Sequence, residues 1–149
     1  MKQYKNFVGH DSRYTMKRRY GFAAVISIAL ALCAIGGYAA GLPAVTWIFG
    51  ILAPLALLSI WTESLVIDTA QKEIVITKGL IARKAIVPFA GILHFEVLKI
   101  THYLIPVNTS LNVWYVKEGK EKVAMVGNSI TTRAMQNLLN EIEEIIKNA

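Results

Sequence analysis

The side chains best suited to acid–base, nucleophilic or metal chemistry are few: His10, His94, His102, Cys33 and ten carboxylates. His94 and His102 stand eight residues apart with no Cys or carboxylate at ligand spacing, so they do not form a zinc pattern. Asp68, Glu96 and the Glu141, Glu143, Glu144 group have the chemistry of general acids or bases. Glu141 and Glu144 share a helical face, however, and a run of this kind reads as solvated helix charge. The chain has no Gly-x-Ser-x-Gly, no Ser-His-Asp order and no glycine-rich phosphate loop. These absences point to a non-enzymatic protein with no cofactor and no metal.

The elements that must position any site are read first from charge. The chain has 149 residues and a formal net charge of +6, is 54% hydrophobic and is only 17% charged. That composition excludes a disordered chain, and one cysteine excludes an internal disulfide framework. Lys2, Lys5, Arg13, Lys17, Arg18 and Arg19 oppose only Asp11 in residues 1–19, which therefore carry +5. Residues 20–62 contain no Lys, Arg, Asp, Glu or His, and residues 63–149 carry ten basic and nine acidic side chains. A remainder of +1 gives no electrostatic reason to expect nucleic acid.

An uncharged stretch of 43 residues is twice the ~20 that one membrane span needs. Gly36-Gly37-Tyr38 and Gly41-Leu42-Pro43 supply turn chemistry near its middle. The expectation is a transmembrane hairpin with spans at residues 20–40 and 44–62, kinked at Pro54. The basic tail would hold both termini in the cytoplasm of a bacterial cell, giving a multi-pass inner-membrane protein. Ala29, Cys33, Gly37 and Gly41 recur at spacing four, a row that permits close helix packing. Cys33 reads as one small packing residue of that row.

Residues 63–149 read as a small cytoplasmic module. Residues 64–69 and 73–78 alternate as two strands about a short turn. Further strands are expected at 80–89, ending at Pro88, at 92–101, at 111–117 and at 122–126. Ile130, Ala134, Met135, Leu138, Leu139, Ile142, Ile145 and Ile146 recur at three and four, so an amphipathic helix closes the chain. The fold class is α+β. Residues 102–108 read as an apolar loop that either packs on the core or contacts a partner or membrane through Tyr103, Leu104 and Ile105.

The hairpin, the Asp68-Thr69 turn, Ile74-x-Ile76 with Lys78-Gly79-Leu80, Arg83-Lys84, and Pro88-Phe89 leading to Ile92 resemble bacterial pleckstrin-homology-like membrane proteins. The resemblance implies a bent antiparallel sheet, or partial barrel, closed at one end by the last helix. Only Lys72 stands at the first strand turn, where phosphoinositide-binding members of that fold gather several basic residues. General attraction to lipid is the expectation instead, through Lys17, Arg18, Arg19, Arg83 and Lys84, at about 1 kcal/mol for each charge held near an anionic surface. The expected function is recruitment, scaffolding or assembly of a partner at the membrane, with membrane lipid and a protein partner or a homo-oligomer as its contacts. The competing reading is an accessory subunit of a larger membrane enzyme or transporter.

Overall fold

A computed structural model of the chain describes residues 3–17, 21–79, 81 and 83–149. Contacts divide it into two units. One comprises residues 1–17, 64–76 and 84–149, and the other residues 18–63 and 77–83.

The first unit is α+β. Strand β1 (Phe7–His10) turns at Asp11-Ser12 into β2 (Arg13–Met16), with Phe7 opposite Met16. β2 pairs antiparallel with β3 (Ser64–Asp68). β4 (Glu73–Lys78) and β5 (Arg83–Pro88) complete a sheet of order β1-β2-β3-β4-β5. β5 ends at Pro88, as expected for a residue with no amide hydrogen to give a ladder. A short 3-10 turn (Phe89–Gly91) leads to β6 (Ile92–His102), β7 (Ile105–Lys117) and β8 (Lys120–Ser129), a second, three-stranded sheet. Helix α3 (Thr132–Lys147) packs against all three of its strands.

Period-two alternation builds the core. Leu65 and Ile67 on β3, Ile74 and Ile76 on β4, and Leu111, Val113 and Tyr115 on β7 are buried in one cluster. Met135, Leu138, Ile142 and Ile145 close it from α3 at steps of three, four and three. That is the apolar face expected from the sequence.

Three expectations are corrected. The first concerns residues 1–19, read as a tail. Residues 7–16 form a hairpin of the five-stranded sheet, and Tyr4 and Phe7 belong to the buried cluster. The sheet therefore begins ahead of the helices, and no self-contained module starts at residue 63. Long-range polar bonds hold this segment. Asn6 donates through its backbone N to Glu141 Oε2 (2.9 Å) and through Nδ2 to Oε1 (3.1 Å). Glu141 is thus a clasp for the N-terminal segment rather than idle helix charge.

Asp68 is the second clasp. Oδ2 accepts from Arg13 Nε at 2.8 Å, and Oδ1 accepts from the backbone N–H groups of Ala70 and Gln71 at 3.0 Å each. The Gln71 N–H, then Arg13, hold this carboxyl below its ordinary value of 3.8. A carboxyl depressed on folding adds stability above its unfolded value of about 3.9, which is lost as pH falls through the lower folded value. Asp68→Asn is therefore expected to be less stable at neutral pH and to show a shallower acid loss below about pH 4. Urea unfolding across that range checks both; parallel acid limbs in the two proteins would contradict the assignment.

The second correction concerns the membrane. In the second unit, α1 (Gly21–Ala39) and α2 (Pro43–Trp61) do form a helical hairpin, and α2 continues through Pro54. Each helix has 19 residues, about 28 Å at 1.5 Å per residue, just under a hydrocarbon core of about 30 Å. Among the described residues no helix is long and apolar enough to cross a membrane. The transmembrane hairpin, its inside–outside topology and the multi-pass inner-membrane placement are set aside on that finding. Arg18, Arg19 and Tyr20 lie outside the described residues.

The third correction is the loop at 102–108. β6 and β7 run through it, with His102 opposite Ile105 and only Tyr103-Leu104 between them. The segment is the end of a long hairpin and is not packed on the core.

Candidate docking surface

The second sheet presents two faces because successive side chains of a strand point opposite ways. Its inner face carries Leu111 and Val113 into the core. Register places the outer face in rows: His94, Trp114 and Val123; Glu96, Asn112 and Met125; Leu98, Ser110 and Asn128. Ile100 stands opposite Asn108 beyond them. Leu98 and Ile100 on β6 and Val123 and Met125 on β8 are exposed, on opposite outer strands of the face with Ser110 and Asn112 of β7 between them.

One end of this face is fixed by polar and aromatic contacts. Trp114 Nε1 donates to Glu96 Oε2 at 3.0 Å, and the His94 ring stacks on Trp114 with centroids 5.9 Å apart and planes 15° apart. The sequence flagged His94 and Glu96 for chemistry. Their geometry instead orients an indole: Glu96 takes up the one hydrogen bond that Trp can donate. His102 lies eight residues along the same strand, about 27 Å from His94, so the two cannot share a ligand. Among the described residues no three His, Cys, Asp or Glu side chains are placed to hold a metal ion. Trp114 was missed by the sequence reading, since its role depends on a partner 18 residues away on the neighbouring strand.

At the other end the hairpin runs out past the core. Residues 98–105 are exposed without interruption. Tyr103 and Leu104 close it with φ of +48° and +66°, the sign pattern of a type I′ turn, which favours Asn-Gly. Leu104 is 98% and Tyr103 88% exposed. His102 meets the Tyr103 ring edge-on at 4.6 Å. Sequence reasoning named Tyr103, Leu104 and Ile105, and the structure brings these three together at the tip.

The other residues named from the sequence are dispersed. Lys17 is exposed, and its Nζ reaches the Tyr4 carbonyl at 3.4 Å. Arg83 and Lys84 are exposed at the start of β5. In the row of spacing four, only Gly37 packs on α2. A Cβ at Gly37 would stand 2.9 Å from Val45 Cγ1 and 3.1 Å from the Thr46 backbone N. Gly41 lies in the turn at φ +68°, and Ala29 and Cys33 are exposed. The packed stripe is Ser27, Leu30, Ala34 and Gly37, at steps of three, four and three. A helix of 3.6 residues per turn carries a strict four-residue row round to another side.

No family model, no curated protein and no solved structure matches the chain. What the geometry defines is an α+β protein of two sheets and three helices among its described residues. The resemblance to pleckstrin-homology-like membrane proteins is withdrawn. Among the described residues no helix is long and apolar enough to span, and the sheet begins ahead of the helices.

Proposed function

We propose that this chain is a non-catalytic recruiting module. The outer face of β6-β7-β8 and the tip of the β6–β7 hairpin dock an apolar segment of a partner protein. The observation that carries this reading is the tip itself. Two large side chains stand in the left-handed region with almost complete exposure, at a cost of roughly 1–2 kcal/mol per residue. No packing on the core offsets that cost. Strain retained in this way clusters at contact sites. Exposed Leu98 and Ile100, on the strand that leads to the tip, extend the same apolar surface.

Replacing Tyr103-Leu104 by Asn-Gly tests it. The double variant is expected to gain about 1–2 kcal/mol in urea unfolding by relieving the turn. It is also expected to lose a protein partner that a photo-crosslinking side chain at position 105 captures from the native cell. A gain in stability with capture unchanged would remove the tip from the docking surface. Because the variant is the more stable protein, lost capture would not be attributable to unfolding.

A further inference from the structure

We infer that the partner segment is an extended strand that adds to the free edge of β6 from Leu98 to His102. It carries apolar side chains on one face and a carboxylate on the other. The inference rests on the docking reading above and gives its partner a form.

A sheet edge is a row of unpaired backbone groups, and proteins blunt such rows with short strands, charge, proline or bulges. Among the described residues the edges are β1 and β5 of the first sheet and β6 and β8 of the second. All but β6 are blunted. β1 has only 4 residues. β5 opens on exposed Arg83 and Lys84 and ends at Pro88. β8 opens on Lys120-Glu121-Lys122 and carries an extra residue, Val126, because Leu111 faces Gly127 while Asn112 faces Met125. β6 runs for 11 residues and contains no proline. From His94 to His102 each of its residues in turn has a partner on β7, and the extra residue near that end, Val107, lies on β7. From Leu98 outward β6 is exposed, which leaves about 17 Å of open edge at ~3.4 Å per residue.

Backbone chemistry selects the occupant. β7 takes up the N–H and C=O groups of alternate β6 residues, and those between point away from it. Another extended chain offers the matching row. A helix does not, since its own turns use its N–H and C=O groups. Side chains then set the sequence of the added strand. Leu98 and Ile100 point to the outer face and Lys99 to the opposite one. Lys99 is the only Lys, Arg, Asp or Glu in residues 97–105. An added strand therefore sets apolar residues beside Leu98 and Ile100 and an acid beside Lys99.

The probe is the synthetic peptide Val-Thr-Val-Glu-Val-Thr-Val, dye-labelled and mixed with the full chain, with binding read by fluorescence anisotropy. It is expected to bind. Lys99→Glu should weaken binding about fivefold, the upper end for an exposed ion pair, and a peptide with Lys in place of its Glu should restore it. N-methylation of alternate peptide residues removes the backbone donors along one edge and leaves every side chain intact. One alternate set should abolish binding and the other should leave it. Binding kept with both sets, or lost with both, overturns strand addition. If the peptide does not bind while position 105 still captures a partner that the Asn-Gly variant loses, strand addition is overturned and the docking surface stands. A dimer that sediments unchanged in excess peptide shows that a second copy holds the edge, and overturns the inference altogether.

Discussion

A chain lacking residues 1–17 is expected not to fold its sheet-and-helix unit. The truncation removes β1 and β2, two of the five strands of the first sheet. It uncovers the β3 edge from Val66 to Asp68 and takes Tyr4 and Phe7 out of the buried cluster. It also strands two carboxylates, Asp68 without Arg13 and Glu141 without Asn6. The single substitution Phe7→Ala samples the loss in a chain that still folds. Phe7 is 2% exposed, and deleting a ring from a packed site costs about 3–5 kcal/mol. Against a domain stability of about 5–15 kcal/mol, that is a large part of the whole. Urea unfolding followed by circular dichroism reads the point variant, and proteolysis reads the truncation. A protease-resistant fragment beginning at residue 63 would show that β1 and β2 are dispensable.

Gly91→Ala is expected to cost about 2–3 kcal/mol, at the upper end for overpacking. A Cβ at this position would lie 2.5 Å from the carbonyl oxygen of Val116 and 3.2 Å from Pro88 Cγ. The first obstacle is backbone of β7, so the strand itself must move, and Ile92 opposite Tyr115 is the next pair of the ladder. Gly127→Ala is the control. Its Cβ would meet Leu138 Cδ2 at 3.0 Å, the end of a flexible side chain that can turn aside. The first variant should therefore lose much more stability than the second in the same denaturant titration. Equal losses would mean that the close approach at Gly91 is not what requires glycine there.

Local signals were legible wherever one strand or one helix face decided the outcome. Alternation located β3 and β4, and Glu73–Lys78 matches the expected residues 73–78. Spacing of three and four located α3 and its inward residues. Asp68 was read as a turn residue, and it does accept the N–H groups of Ala70 and Gln71. The tip residues Tyr103, Leu104 and Ile105 were named, but as a loop, because Pro106 and a large apolar run obscured the continuing strand. Only the pairing of His102 with Ile105 shows the hairpin.

What stayed hidden depends on partners far along the chain. The +5 of residues 1–19 drew attention to topology and away from Phe7-Val8-Gly9-His10, a strand too short and too mixed to register by periodicity. Its place in the sheet is set through β2, which pairs with β3 more than fifty residues later. The bonds of Asn6 to Glu141 span 135 positions and the bond of Trp114 to Glu96 spans 18; no local pattern encodes either. Charge, hydropathy and side-chain period act over one turn or one strand, so the chain alone dictated its uncharged hairpin, its alternating strands and its final amphipathic helix. Strand order, the closing clasps and the Glu96–Trp114–His94 contacts were decided by tertiary structure, because each requires two distant segments to meet.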